Sequence, residues 1–145
     1  LLAAAQRSVL RLAFGMGVAV VVGTLLGLAM AASRVVQRSI GTLMTDALKE
    51  IQNDSKLIGE VRGQGLMIGV ELVRDRETKE PAFEETDQLM AACLGHGLMI
   101  GKTGPVFGAN GNVAKFKPAV NVTEEDAMEM VELFGRALRD VEAAL

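Results

Sequence analysis

Three periods of hydrophobicity follow one another along this chain. From Leu12 to Ser33, LAFGMGVAVVVGTLLGLAMAAS, apolar residues cover every side of a helix, with no charge in 22 positions. At about 1.5 Å per residue that helix reaches about 33 Å, enough for a bilayer's hydrocarbon core. This favours a membrane span over a buried helix of a soluble protein. Thr42–Asn53 changes to an amphipathic helical pattern, with Leu43, Leu48 and Ile51 near one face and Asp46, Lys49, Glu50 and Gln52 polar. Asn53-Asp54-Ser55 stops it.

The period then shortens to two. Ile58–Arg62 and Leu66–Val73 read as strands around Gly63-Gln64-Gly65, where glycine permits a bulge, a bend or a positive φ. In the second strand Leu66, Ile68, Val70 and Leu72 share one face, and Met67, Gly69, Glu71 and Val73 the other. Both faces are largely apolar, which predicts a central strand covered on one side by helices. Arg74–Pro81 is an exposed charged connection. Glu84–Leu94 is predicted helical, with Met90, Cys93 and Leu94 inward and Gly95-His96-Gly97 ending it. Leu98–Lys102 is a third strand, Thr103–Asn112 a Gly/Asn/Pro loop, and Val113–Val120 a fourth strand. In the fourth, Ala114 and Phe116 oppose Lys115 and Lys117. Thr123 caps a last helix whose inner face is Ala127, Met130, Val131, Phe134, Leu138, Val141 and Leu145.

The order helix–strand–strand–helix–strand–strand–helix predicts an α+β fold. It would have a small antiparallel or mixed sheet of about four strands, helices on one face, and a long hydrophobic helix at the N-terminus. The pentad GLMIG recurs at 65–69 and 97–101, but the flanking segments do not match, so it marks similar strand surroundings rather than a repeat architecture.

Charge divides the chain. Residues 1–42 hold Arg7, Arg11, Arg34 and Arg38 and no acid; residues 43–145 hold the other 11 basic residues against all 18 acids. The segments 1–42 and 43–145 therefore suit different environments. A net charge of −3 gives no case for nucleic acid as a partner. Cys93 is the only cysteine, so no intrachain disulfide forms, and a reducing, cytoplasmic setting suits residues 43–145. Leu12–Ser33 would add membrane association if it inserts.

Candidate chemistry is sparse. His96 stands alone at a helix end, and no His/Cys cluster has metal spacing. Cys93 lies on an apolar helix face and lacks a base beside it. The 103–112 loop matches no phosphate-binding glycine pattern. Lys115 and Lys117 share a strand face, which reads either as a solvated edge or as a cationic site for a carboxylate or phosphate.

Two resemblances add to this. Residues 8–43, with an R-x-x-x-G…G-x-x-x-G-L…S-R pattern, resemble an early membrane helix of nitrate/sulfonate/taurine-type ABC importer permeases. Residues 43–145 resemble the C-terminal small domain of class III PLP-dependent aminotransferases. V-R-G-x-G-L-M-x-G-x-E-L at Val61–Leu72 carries that resemblance. D-R-x-T-K-E-P-A, G-L-x-x-G and K-P-x-x-x-x-T-E-E-D follow it in order. The alanine–glyoxylate and taurine–pyruvate branches look closest.

The second resemblance implies a domain that closes over PLP and an amino-acid or amine substrate, with a 2-oxo acid as acceptor, in a possible homo-oligomer. It places a carboxylate-binding Arg at Lys115, in Lys115-Phe116-Lys117-Pro118-Ala119, with Lys117 as a fallback. Lys carries the charge without Arg's bidentate fork. The family's Schiff-base Lys and phosphate-binding residues lie in a preceding large domain, and none of Lys49, Lys56, Lys79, Lys102, Lys115 or Lys117 has a matching context. No catalytic or cofactor-binding residue is therefore assigned. The chain is expected to be a fragment or fusion that is inactive alone, with a permease fragment or a non-catalytic binding or oligomerisation module as alternatives.

Overall fold

The computed structural model describes the backbone of residues 2–103 and 111–145, and the side chains of residues 11, 14–27, 39–103 and 111–145. The chain divides into two compact units, Leu1–Val36 and Gln37–Leu145. Its elements are α1 (Leu2–Asp54), β1 (Ile58–Gln64), β2 (Met67–Leu72), α2 (Phe83–Gly95), β3 (Gly101–Lys102), β4 (Val113–Phe116) and α3 (Glu124–Ala143). The fold is α+β, and every strand pair described is antiparallel, in the order β1-β2-β4-β3.

The hydrophobic stretch and the Thr42–Asn53 pattern, read as separate segments, lie on one helix. No proline or glycine pair interrupts residues 33–42, and α1 runs on to Asp54. Among the described residues no helix is long and apolar enough to cross a membrane. The Leu12–Ser33 expectation rests in part on 12–13 and 28–33, which lie outside the described side chains, so the membrane reading has no support here.

Within the second unit α1 buries Ile40, Met44 and Leu48, with Ile51 partly covered. This corrects the expected face: Leu43 is one position off the stripe and 42% exposed. The helix meets the β1–β2 hairpin at one glycine pair. The hairpin turn is Gly65-Leu66, with Gln64 opposite Met67 and Gly65 at φ 57°, glycine taking the first central position of a two-residue loop. Gly41 of α1 packs so closely on that turn that a Cβ there would lie 2.1 Å from the Gly65 carbonyl oxygen.

β2 is the inner strand expected. Ile68, Val70 and Leu72 are buried, and Ala114 and Phe116 of β4 continue the same face. Phe116 meets Phe134 of α3 edge to face, with ring centres 5.1 Å apart. Thr123 caps α3 as expected: its Oγ1 accepts from the Asp126 N–H at 3.1 Å and donates to the Asp126 carboxylate at 2.7 Å. At the other end of α3, Glu142 Oε1 accepts from Ser55 Oγ at 2.6 Å and from the N–H groups of Lys56 and Leu57 at 2.9 and 3.2 Å. That clamp fixes the turn from α1 into β1.

Four expectations are corrected. α2 buries Glu85, Thr86, Leu89 and Cys93, while Leu94 is exposed and Met90 only partly covered. β3 is only Gly101–Lys102, and β4 ends at Phe116, before Lys117-Pro118. Proline's missing N–H ends the ladder there. In α3, Leu145 falls beyond the helix and is exposed. Residues 104–110, most of the expected loop, lie outside the described residues.

Gly41→Ala should destabilise the domain by about 1–3 kcal/mol, because backbone rather than a flexible side chain blocks the added methyl. A urea midpoint that falls with an unchanged m value is the expected readout.

Candidate functional site

Strand register decides what the open face of the sheet presents. Arg62 pairs with Gly69, Gly69 with Lys115, and Lys115 with Gly101, forming one row across all four strands. Side chains along this row point away from the buried Ile68–Phe116 side. Glycine at 69 and 101 leaves the two cations standing over a floor without side chains. A cleft of about 620 Å³ lies there, and its lining includes Arg62, Gln64, Glu71, Thr103, Asn112 and Lys115.

The two cations differ in state. Arg62 is bound by Glu60 at 2.6 Å and Glu71 at 3.2 Å. Desolvation opposes its charge, but the bonds to Glu71 and Glu60 outweigh it and raise its pKa. Lys115 is half-buried and has no ion-pair partner among the described residues. The Thr103 hydroxyl, also lining the cleft, is buried with no hydrogen-bond partner among the described residues. Asn112 is committed, donating to the Leu72 carbonyl at 2.7 Å. Lys117 lies past the end of β4, exposed, and does not line the cleft. Of the two expected anion contacts, the structure therefore brings only Lys115 to it. Arg62 was missed as a neighbour of Lys115, because 53 residues separate them and only register joins them.

The remaining singled-out residues are structural. His96 is the C-cap residue of α2 and pairs with Asp140 of α3 at 2.6 Å. Cys93 is fully buried, and burial pushes its thiol up to about 11. Glu85, buried on α2, accepts from Arg74 Nε at 2.7 Å, and that bond holds its carboxyl below the ordinary value of 4.5.

The class-III aminotransferase family model matches residues 17–138. This chain belongs to the class-III aminotransferases. The match begins inside the stretch that resembles a permease helix, and the comparisons lend the permease resemblance no support. An uncharacterized aminotransferase, YhxA, of Bacillus subtilis is 40% identical over 96 residues, covering 66% of this chain and 21% of the relative. A taurine–pyruvate aminotransferase of Bilophila wadsworthia is 36% identical over 104 residues, 71% of this chain and 23% of the relative. An aminotransferase structure from Bacillus anthracis superposes with a TM-score of 0.72 at 28% identity, covering 82% of this chain and 27% of that one. The chain thus spans about a fifth of the length of the curated relatives it matches.

Class-III aminotransferases depend on PLP. The described residues do not assemble a site for it. Lys49, Lys56, Lys79, Lys102 and Lys117 are exposed, Lys102 is paired with Asp87, and Lys115 is only half-buried. Glu85, the one buried carboxylate among the described residues, is bound through one oxygen by Arg74.

Two outcomes follow. Cys93 should resist a thiol-labelling disulfide reagent at pH 8 in the native protein and react at once in denaturant. Glu85→Gln should lower stability at neutral pH. Because folding depresses the Glu85 pKa, its contribution is complete above about pH 4.5 and fades as pH falls further. Acid-unfolding curves of the two proteins should therefore converge on acidification.

Proposed function

We propose that this chain supplies the small domain of a PLP-dependent aminotransferase that transfers an amino group from an amino acid or amine to a 2-oxo acid. The observation that supports this beyond family membership is Lys115, a half-buried ammonium over a glycine floor with no carboxylate bound to it among the described residues. When bound, PLP supplies the electron sink for bond breaking at the amino-bearing carbon. The chain's own residues bind and orient. Lys115 takes the substrate carboxylate as a point charge. The Thr103 hydroxyl, buried and without a partner among the described residues, donates to a polar group in the same cleft. Arg62 stays with Glu60 and Glu71 and shapes the wall. Lys117 adds positive potential from the surface. We place PLP attachment in the part of the relatives' length that this chain does not cover, so that the chain alone does not transaminate.

Two measurements test this. Borohydride reduction of the chain with PLP, followed by peptide mass mapping, should show only scattered, substoichiometric labelling of exposed lysines. A single lysine labelled one-to-one would refute the assignment. Co-expression with the PLP-binding portion of the taurine–pyruvate aminotransferase should yield activity. In that complex Lys115→Met should cut kcat/KM for carboxylate substrates by about tenfold or more, the worth of one charge-assisted hydrogen bond. Lys117→Met should have a much smaller effect.

A further inference from the structure

Gly69 stands where the backbone does not require glycine. It lies in the middle of β2, and the described glycines with positive φ are Gly65, Gly97 and Gly111. Close backbone packing does not require it either. A Cβ added at Gly41 or Gly63 would strike backbone at 2.1 or 2.5 Å. At Gly69 its nearest neighbour would be a side-chain methyl, Val113 Cγ1, at 3.1 Å. What the missing side chain leaves is space. Gly69 lines the cleft of about 620 Å³ and sits between Arg62 and Lys115 in one row. Neighbouring strands lie about 4.8 Å apart, so those two residues stand about 10 Å apart at their backbones.

The side chains around that space differ in kind. Lys115 has no ion-pair partner among the described residues, whereas Arg62 is held by Glu60 and Glu71. Two carboxylates against one guanidinium leave surplus negative charge on the β1 side, which repels a second anionic group. The remaining walls are apolar. Met67 shares the open face with Gly69 and is exposed. Val113 is buried yet stands outside the core cluster, because alternation along β4 sends Ala114 and Phe116 to the helix side and Val113 to the side of Lys115.

We propose that Gly69, Met67 and Val113 make this cleft selective for monoacids with an uncharged, apolar body. The carboxylate is held by Lys115, a reading on which the selectivity rests, and the body lies over Gly69 between Met67 and Val113. Methionine adapts its shape to such a body. Each methylene fully buried there raises affinity about fourfold. A second carboxylate meets only Arg62, whose charge is already taken.

Titration of the isotope-labelled full chain with small acids, followed through amide chemical shifts, tests this. 4-Methylpentanoate should bind about tenfold tighter than propanoate, through partial burial of its extra carbons. Glutarate and 5-aminopentanoate should gain little over propanoate. Gly69→Ala should cut the advantage of 4-methylpentanoate about threefold or more by filling the space. Val113→Ala should widen the space and admit phenylacetate, and it decides the matter alone if Gly69→Ala does not fold. Lys115→Met should weaken all the acids together. The selectivity is overturned if glutarate or 5-aminopentanoate matches 4-methylpentanoate, if the preference is indifferent to both substitutions, or if no acid binds. Propanoate binding that survives Lys115→Met would sink the carboxylate contact as well, which separates failure of that reading from failure of the selectivity alone.

Discussion

The alternation of side chains along β2 and β4 is the constraint on which the rest of this domain depends. Ile68, Val70, Leu72, Ala114 and Phe116 all point to one side, and the core forms there, with Phe116 against Phe134 at its centre. Once that face is buried, the intervening residues have no choice of direction. Gly69 and Lys115 must stand on the opposite face, and cross-strand pairing adds Arg62 to them. The candidate site is thus a by-product of core formation: the residues that build the hydrophobic layer also decide which polar side chains share the cleft.

Helix α1 is tied to this sheet at two points of different character. At Gly41 and Gly65 the contact is steric, backbone against backbone, and it sets how near the helix approaches the hairpin. At Ser55–Leu57 it is polar: one carboxylate oxygen of Glu142 gathers a hydroxyl and two N–H groups where the helix has ended and the strand has not begun. Backbone groups in such a junction would otherwise go unpaired. The last helix of the chain therefore closes the turn that opens the sheet, although 87 residues separate Ser55 from Glu142.

Charge is distributed with the same economy. Arg62 and Arg74 are each surrounded by carboxylates, so their charge serves to hold β1 to β2 and to anchor the buried Glu85. Lys115, placed in the same row as Arg62, is left without such a partner among the described residues. That difference separates a structural cation from one able to meet a ligand, and it follows from which acids lie opposite each strand position, not from residue type.

Several features were fully legible along the chain. Period-two runs at Ile58–Arg62 and Leu66–Val73 marked the first two strands, Thr123 with three following acids marked the start of α3, and Val61–Leu72 carried the family signature. These are local properties, set by propensity, capping and spacing within a few residues. Partnership was not legible. Leu94 and Leu43 are apolar yet exposed, while Glu85 and Thr86 are buried, with one Glu85 oxygen accepting from Arg74 and the Thr86 hydroxyl donating to the Ala82 carbonyl. β3 shrank to two residues because only Gly101 and Lys102 stand in register with β4 residues. By itself the sequence determined the α+β class, the order of the elements from β1 to α3 and the aminotransferase family of residues 43–145. The tertiary structure alone decided that Lys115 shares a row and a cleft with Arg62 across Gly69 while Lys117 does not line the cleft, since register and burial depend on contacts between segments that no local period encodes.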